Sequence, residues 1–361
     1  MHKLILYIVM SGMAFGTWAQ TPFCIMQYNV ENLFDTKNDV QTNDDEFLET
    51  SSRRWTSSRY WHKLDGLAKV IAAVGEERLP ALIALCEVEN DSVLYDLTKR
   101  SSLRTVGYRY VVTQSADPRG IDVALLYQPG MFRLLEHHTI KMPSVENGYT
   151  PTRDILHVRG QVISGDTLDV LVCHFPSRSR GTRKADEHRV LAATTLRCSI
   201  DSLFMVHPHA KVVVAGDFNA APGDMVFTKI LCAHEYFYMQ NNRVDSALIN
   251  GADATMYLTT PRRSKVKNKT LGSYRYRGEW MFLDHILVSE NLLDSASIFR
   301  CIDKQVQVAD IPFLLVDDQT YGGKRPHRTY QGPSYRGGYS DHLPIYLNFV
   351  VNKKAQQNTT R

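Results

Sequence analysis

Most of five short polar fragments in this chain follow a run of small apolar and β-branched residues, and this feature constrains the fold most strongly. The fragments are QYNVEN with Asn29, LCEVEN with Glu87, GDFN with Asp217 and Asn219, FLDH with Asp284, and SDHLP with Asp341 and His342. Because such apolar runs predict buried strands, the polar groups are expected at strand ends, where several strands can assemble one site. Carboxylates and histidines gathered in this way indicate a divalent cation and hydrolysis.

The composition is that of one globular domain. The 361 residues are 43% hydrophobic and 22% charged, and no linker rich in Pro, Ser or Gly divides them. We therefore predict a single domain over residues 20–351 and a polar, disordered tail over 352–361. The net charge of +4 is too small to indicate nucleic acid by itself.

The first nineteen residues predict a secretory signal peptide. They carry Lys3, an apolar stretch from Leu4 to Met13, and the small-residue cleavage pattern Thr17-Trp18-Ala19. An uncleaved membrane anchor is the alternative, but the apolar run is shorter than the ~20 residues that a spanning helix needs. We expect a secreted or periplasmic protein without stable membrane insertion, and nothing in the sequence implies a protein partner.

The cysteine pattern favours free thiols over disulfides or zinc. The six cysteines are Cys24, Cys86, Cys173, Cys198, Cys232 and Cys301. Their spacing is wide and irregular, three lie in apolar strand-like runs, and no zinc-binding spacing is present. Cys86 and Cys173 adjoin Glu87 and His174 and could be read as nucleophiles. Strand alternation instead directs each cysteine to the core when its neighbour faces the site.

The order of predicted elements indicates an α+β fold. Strands alternate apolar and polar residues over much of residues 108–174, as antiparallel strands packed on one face do. Helices are predicted over 63–74 and 184–203, and another from its cap at Asp224 to Cys232. Each half of the chain has strands, a helix and a strand ending in site residues. The pattern predicts a four-layer α/β/β/α sandwich of two mixed, mainly antiparallel sheets with outer helices.

The five fragments, in this order and over nearly the whole mature chain, resemble the endonuclease/exonuclease/phosphatase superfamily. Its members include deoxyribonuclease I, abasic-site endonucleases, inositol polyphosphate phosphatases and neutral sphingomyelinases. The resemblance implies a deoxyribonuclease I-like sandwich and hydrolysis of phosphate esters. It also implies a divalent cofactor, Mg²⁺ or Mn²⁺ with Ca²⁺ as a further option.

The resemblance implies the metal ligands. Glu87 matches the principal metal-binding carboxylate, Asp341 a further ligand, and Asn29 an amide that helps to hold the metal or the phosphate. Glu89 is the rival to Glu87, because it lies two residues on and therefore on the same strand face. We prefer Glu87, which directly follows the apolar strand as the family pattern requires.

The resemblance also implies the catalytic residues. Asp217 and Asn219 match the pair that orients the attacking water and stabilises the transition state. Asp284 matches the carboxylate that orients His342, fixing the tautomer of the imidazole and raising its basicity.

A second histidine accompanies this set. His174, in CHFPS, matches the other site histidine, and Asp122 stands where the carboxylate partner of that histidine falls. His174 could donate a proton to the leaving oxygen or hold a phosphate oxygen.

The sequence has two basic clusters, and the one that adjoins His174 is the candidate for phosphate contacts. Arg178 and Arg180 follow His174 closely, and a guanidinium can hold two phosphate oxygens at once. The second cluster comprises Arg262, Arg263, Lys265, Lys267 and Lys269. Solvated surface charge explains such runs equally well.

The export signal and the basic residues beside His174 favour a non-specific nuclease, most simply an endonuclease, with nucleic acid as substrate. The alternative is a phosphodiesterase or phosphatase acting on lipid head groups or small phosphoesters. It would use exposed aromatic residues, with candidates Trp55, Tyr60, Trp61, Tyr330, Tyr335 and Tyr339.

Val88-Glu89 replaces the arginine that deoxyribonuclease I has after its metal glutamate, which puts the same groove-binding mode in doubt. A binding module without catalysis is disfavoured, because every expected catalytic position is filled.

Overall fold

The protein is described from a computed structural model, which covers residues 20–75, 78–143, 152–177, 182–236, 254–261, 272–303 and 305–352. The signal peptide, the tail beyond Asn352, Arg178, Arg180 and the second basic cluster lie outside these ranges.

Twenty strands are named in chain order. They are β1 Gln20–Leu33, β2 Leu82–Val88, β3 Arg109–Val112, β4 Asp122–Tyr127, β5 Phe132–Ile140, β6 Ile155–Val162, β7 Thr167–His174, β8 Lys211–Asp217, β9 His234–Glu235, β10 Met256–Leu258, β11 Tyr274–Tyr276, β12 Glu279–Met281, β13 Asp284–Ser289, β14 Phe299–Cys301, β15 Gln307–Val308, β16 Leu315–Asp317, β17 Lys324–Pro326, β18 Tyr330–Gln331, β19 Ser334–Tyr335 and β20 Ile345–Asn352.

Fourteen of these strands form two seven-stranded sheets. The first has the order β14-β20-β1-β2-β4-β3, with β15 also paired to β20. The second has the order β5-β6-β7-β8-β13-β10-β9. Only β1 with β2, β7 with β8, and β9 with β10 pair in parallel within the described residues. Both sheets are therefore mixed and mainly antiparallel, as the sequence predicts.

Over the described ranges, three α-helices accompany the sheets: α1 Ser57–Val74, α2 Asp91–Tyr95 and α3 Thr182–Val206. α1 begins where the Thr56 side chain accepts a hydrogen bond from the Arg59 amide, and it buries Leu64, Leu67 and Ile71 against the first sheet. Among the helices described, none is both long and apolar enough to cross a bilayer.

Alternation along the strands builds three apolar layers. On β1 and β2, Ile25 and Leu82 face the layer between the two sheets, whereas Met26 and Ile83 face α1. On the second sheet, Val213 faces inward and Val214 faces α3. Burial of both faces of each sheet produces the α/β/β/α sandwich.

Some predicted elements differ in the structure. The strand expected through Trp280 to Val288 is divided into β12 and β13, and the helix expected from Asp224 to Cys232 is a single π-helical turn, Val226–Ile230. Residues 91–105 form three short helical turns that the sequence analysis did not predict, although Asn90 caps the first by accepting from the Val93 amide. β1 extends to Leu33 instead of ending before Asn29, because an irregularity lets it resume pairing with β2.

Candidate active site

The polar fragments meet at one edge of the sandwich, where the carboxyl ends of β1, β2, β7 and β8 lie near the start of β13. Nδ2 of Asn29, on the first sheet, donates to Oδ2 of Asp217 on the second at 3.0 Å. This hydrogen bond joins residues 188 positions apart in the chain. The sheets therefore contribute to a single site, as predicted for side chains at strand ends.

The Asp217 carboxylate lies at the centre of the site. Besides the bond from Asn29, its Oδ2 lies 3.7 Å from Nε2 of His174 and 3.9 Å from Nε2 of His342. Burial and the neighbouring Asp284 raise the pKa of Asp217 to about 7, against the opposing effect of His342. This carboxylate can therefore exchange a proton near neutral pH.

A glycine allows Asp217 and His174 to approach each other. These residues are register partners on the parallel strands β7 and β8, and the preceding pair is Cys173 with Gly216. A Cβ atom on Gly216 would collide with the carbonyl oxygen of Cys173. The glycine of GDFN is thus required for close packing of the two strands.

His342 is a charged imidazole held by Asp284. Its Nδ1 lies 2.7 Å from Oδ2 of Asp284, which also accepts from the Ser273 hydroxyl at 2.5 Å. Although burial lowers the pKa of His342, the charges of Asp284 and Asp217 outweigh it and hold the pKa well above its usual value. Ser340 fixes the backbone, since its hydroxyl donates to the Asn29 carbonyl and accepts from the His342 amide.

His174 is a neutral imidazole. Burial, followed by the positive charges of Arg153, Arg119 and His342, holds the pKa of His174 well below its usual value. Its buried Nδ1 has no hydrogen-bond partner within the described residues.

The predicted pairing of His174 with Asp122 is therefore not formed. Oδ1 of Asp122 accepts instead from the Thr113 hydroxyl at 2.5 Å and the Ser115 amide at 3.0 Å. Satisfied by these local donors, Asp122 anchors the turn between β3 and β4.

Asn219 lies within the site but points away from Asp217 Oδ2. Its backbone amide donates to Oδ1 of Asp217, and its side-chain Nδ2 donates to the Phe175 carbonyl at 3.0 Å. The residue has a φ of 48°, in the left-handed region. This turn fixes the orientation of the Asp217 carboxylate.

Glu87 and Glu31 occupy strained backbone positions near the carboxyl ends of β2 and β1. Glu87 is an extra residue between the β2–β4 pairs of Cys86 and Val88, with a φ of 66°, and Glu31 has a φ of 51°. Oε2 of Glu87 accepts from the Asn32 amide at 2.9 Å. Such backbone conformations are costly for residues other than glycine, and they cluster at functional sites.

Arg328 links Glu31 to Asp341. Its guanidinium donates twice to Oε1 of Glu31, at 2.9 and 3.0 Å, and once to Oδ2 of Asp341 at 3.0 Å. The buried ammonium of Lys63 adds a second cation, bonded to the Glu31 and Tyr339 carbonyls and the Thr329 hydroxyl. The sequence analysis missed Glu31, Lys63 and Arg328. Only Glu31 had an available signal, being an acid two residues after Asn29.

Glu89 is directed away from this cluster. Its Oε2 accepts from the Asp35 amide at 2.6 Å, and burial raises its pKa to about 8. Asp35, Asp44 and Asp39 are the charges that act on it, whereas the charge of Glu87 acts on Lys63 together with Glu31 and Asp341. This geometry favours Glu87 over Glu89 as a metal ligand.

The donors at the site fit a hard divalent cation. Glu87 and Asp341 provide carboxylate oxygens, which Mg²⁺ and Mn²⁺ prefer, whereas both oxygens of Glu31 are held by Arg328 and the Thr329 amide. Asp217, Asp284 and His342 also place one potential ligand atom each within 4.8 Å of one another. In that second group Asp284 and His342 already bind each other, so it is better suited to proton transfer.

Positive charge also reaches the site from residues that the sequence analysis did not select. Nη2 of Arg119 donates to Oδ1 of Asn32, and the buried Arg153 binds Asp117 at 3.0 Å and the Phe175 carbonyl. The predicted phosphate contacts Arg178 and Arg180 lie outside the described residues.

The six cysteines are unpaired, and three of them are buried. Cys86 faces the layer between the sheets and Cys173 faces α3. Burial raises the pKa of both thiols well above their usual value, so neither is a nucleophile.

The sandwich and its site agree with a family comparison. A model described as "Endonuclease/Exonuclease/phosphatase family" matches residues 24–351. The chain belongs to the endonuclease/exonuclease/phosphatase family. Membership supports hydrolysis of phosphate esters, and enzymes of this family typically depend on a divalent metal. No match was found among curated proteins.

Solved structures share the fold at low sequence identity. An endonuclease/exonuclease/phosphatase family protein from Bacteroides thetaiotaomicron is 15% identical, with a TM-score of 0.53 over 93% of this chain and 100% of that chain. D. rerio TDP2 humanized by 14 mutations is 16% identical, with a TM-score of 0.52 over 91% and 98%. A B. thetaiotaomicron mannosyl-6-phosphatase is 14% identical, with a TM-score of 0.50 over 91% and 99%. These similarities confirm the predicted fold.

Proposed function

We propose that this member of the family is an exported, divalent-metal-dependent phosphodiester hydrolase that cleaves nucleic acid without sequence preference. The observation that carries the proposal is the convergence of Asn29, His174 and His342 on one oxygen of Asp217. The carboxylates of Glu87 and Asp341 adjoin this group in the fold, because Cys86 pairs with Asn29 and Asp341 directly precedes His342. The proposed proton-transfer groups and the proposed metal ligands thus come from neighbouring strand ends.

Asp217 supplies the base in this mechanism. With a pKa raised to about 7, its carboxylate is partly ionised at neutral pH and can accept a proton from a water molecule. The Asn219 amide holds Oδ1, which directs Oδ2 toward the two histidines. The attacking water is then oriented by Oδ2.

The two histidines contact the phosphate differently. His342, held protonated by Asp284, presents Nε2–H as a charged donor to a phosphate oxygen. Because His174 is neutral, we expect it to hold a phosphate oxygen by a hydrogen bond and not to act as a strong acid. Together they stabilise the negative charge that develops in the transition state.

Glu87, Asp341 and Asn29 are the residues that we propose to hold the metal. A bound Mg²⁺ or Mn²⁺ would neutralise phosphate charge and polarise the ester bond. Glu31 and Arg328 set the position of Asp341 through the ion pairs between them.

A nucleic acid substrate is supported by the positive groups at the site. Arg119 and Arg153 act electrostatically on His174, next to the proposed phosphate position. The aromatic residues considered for a lipid-binding loop are packed instead: Trp55, Tyr60 and Tyr330 are buried, and Trp61, Tyr335 and Tyr339 pack against the apolar layer beside α1. Hydrolysis of a small phosphoester remains the rival proposal, supported by the mannosyl-6-phosphatase neighbour.

Parallel hydrolysis assays test the proposal. The purified mature chain is incubated with supercoiled plasmid, single-stranded RNA, sphingomyelin, an inositol polyphosphate and a sugar phosphate, with Mg²⁺, Mn²⁺ or EDTA. We expect metal-dependent nicking of plasmid that His342→Ala abolishes. Intact nucleic acid alongside cleavage of a lipid or small phosphoester would replace the nuclease proposal with its rival.

A matched pair of glutamates tests the metal assignment. Glu87→Gln should raise the Mn²⁺ concentration at half-maximal activity by roughly tenfold or more, by removing a charged oxygen ligand. Glu89→Gln, two residues away, should change it less than about twofold. Calorimetric Mn²⁺ binding provides a readout independent of turnover. Equal effects of the two changes would contradict the assignment.

A further inference from the structure

A hairpin that contacts His342 carries an exposed aromatic side chain. The hairpin of β11 and β12 covers this histidine, and the ring of Tyr274 lies 4.8 Å from the imidazole, measured between centroids. Tyr276 follows two positions later on β11, so it lies on the same face as Tyr274, displaced by roughly 7 Å along the strand. Tyr276 is 52% exposed, so a large ring faces solvent on the hairpin that contacts His342.

The turn after Tyr276 has an unusual residue. Arg277 and Gly278 close the hairpin with φ values of 48° and 88°, which fits a two-residue type I′ turn. Such turns favour Asn, Asp or Gly at the first position, and an arginine there is strained. The guanidinium carbon of Arg277 lies 5.2 Å from the centroid of the Tyr276 ring. A positive charge and an aromatic ring are thereby presented together.

The hairpin is braced on its other face. Arg275, whose side chain points away from Tyr274 and Tyr276, binds the Asp318 carboxylate and the carbonyls of Gly322 and Lys324. The side chain of Tyr321 also packs against Gly278 at the turn. The face that carries Tyr276 is therefore held in place without using Tyr276 itself.

Electrostatics place the same face beside the reacting groups. Burial raises the pKa of the Tyr274 hydroxyl, and the neighbouring carboxylates of Asp341 and Asp217 raise it further, whereas Arg328 lowers it. Tyr274 is thus a spacer between the site and Tyr276.

We infer that Tyr276 and Arg277, the hairpin platform, bind an unpaired nucleobase adjoining the scissile phosphate. The inference rests on the proposed function and narrows its substrate to single-stranded or locally unpaired nucleic acid. A phenol ring provides a surface on which any base can stack, and the guanidinium can contact the adjacent phosphate. A base must leave its duplex stack to reach such a ring.

Binding of base-bearing and base-free strands tests the platform. The probes are a fluorescein-labelled single-stranded DNA oligonucleotide, the same strand with abasic tetrahydrofuran residues, and its duplex, each titrated by anisotropy in EDTA to prevent cleavage. We expect the wild type to prefer the base-bearing single strand. Tyr276→Ala should weaken that Kd by ~5-fold to ~100-fold, as for loss of one stacked base, and leave the abasic Kd unchanged.

Two further variants complete the test. Tyr276→Phe retains the ring and should bind as the wild type does. Tyr95→Ala removes a tyrosine that is 50% exposed on α2 and should have no effect. Equal loss for base-bearing and abasic strands, or no loss, would overturn the platform.

A separate assay distinguishes failure of the platform from failure of the nuclease proposal. Wild-type cleavage of the oligonucleotide with Mg²⁺, combined with an unchanged Kd for Tyr276→Ala, removes the platform alone. Absence of both cleavage and binding removes the nuclease proposal and the platform with it.

Discussion

His342 and His174 lie almost equally far from the same oxygen of Asp217, at 3.9 and 3.7 Å, yet His342 is cationic and His174 is neutral. Both imidazoles are buried, which disfavours protonation of each. Asp284 contacts the Nδ1 atom of His342, whereas the Nδ1 atom of His174 has no partner among the described residues. The positive charges of Arg153 and Arg119 further lower the pKa of His174.

The comparison shows that the second nitrogen of each ring determines its role. A carboxylate on Nδ1 keeps His342 cationic and aims its Nε2, while an unpaired Nδ1 leaves His174 neutral. One site thus contains a cationic and a neutral imidazole whose Nε2 atoms lie 3.9 and 3.7 Å from the same Asp217 oxygen. A substitution that gives one imidazole the surroundings of the other should therefore also give it the charge of the other.

Removing the charged ring should have the largest effect. His342→Gln is expected to lower kcat by ~10⁴-fold, because a neutral amide replaces the charged donor. Turnover of the best substrate is measured with saturating Mn²⁺. His157→Gln is the control, since His157 is equally buried and carboxylate-paired but lies away from the site. A loss below tenfold for His342→Gln would contradict its catalytic role.

Replacing the carboxylate partner should make His342 resemble His174. Asp284→Asn is nearly isosteric and should lower kcat by ~10³-fold, because the pKa of His342 then falls. The titration of His342 is followed by ¹⁵N NMR, in parallel with the rate. Asp169→Asn breaks a similar buried pair, with His157 at 2.8 Å, and should leave turnover intact. An unaltered His342 titration would show that Asp284 does not set its charge.

Substitution of the neutral ring should cost less. His174→Gln removes one neutral imidazole, so we expect kcat to fall by ~10²-fold. The unfolding transition, followed by circular dichroism, should not change. A loss as great as that of His342→Gln would indicate that His174 transfers a proton.

The smallest perturbation is a change of pH. At pH 6.5 the NMR spectrum should show His342 protonated and His174 neutral. The raised pKa of His342 stabilises the fold below about pH 6.5, and this contribution is lost as pH rises through its folded pKa. The lowered pKa of His174 acts in the opposite direction: its contribution is present above about pH 6.5 and is lost as pH falls through its folded pKa. Identical titrations of the two rings would refute the comparison.

The sequence predicted the sheets and the meeting of the polar fragments because alternation and strand ends are local patterns. Asn29, Asp217, Asp284 and His342 could be placed together on this basis, and the structure joins them by hydrogen bonds and close contacts. The two-sheet arrangement followed from the similar order of strands, helix and strand in each half of the chain, and the structure buries both faces of each sheet.

Features that depend on irregular backbone or on distant contacts could not be predicted. The two-residue alternation along a strand does not reveal the positive φ of Glu87 and Glu31. Arg328 binds Glu31 although 297 positions of the chain separate them. The predicted pairing of Asp122 with His174 does not form, because Thr113 and Ser115 donate hydrogen bonds to the Asp122 carboxylate. These donors lie only 9 and 7 residues from Asp122 in the chain. Local donors compete with any partner inferred from a family pattern.

The bond from Ser340 to the Asn29 carbonyl spans 311 positions of the chain, and it has a consequence for folding kinetics. Contacts of such high sequence separation form late, because closing a long loop costs conformational entropy before any contact stabilises it. Since β1 pairs with β20, Asn29 and His342 meet only when these two strands have docked. Recovery of hydrolysis after dilution from denaturant should therefore follow the slowest folding step and lag behind the recovery of secondary structure.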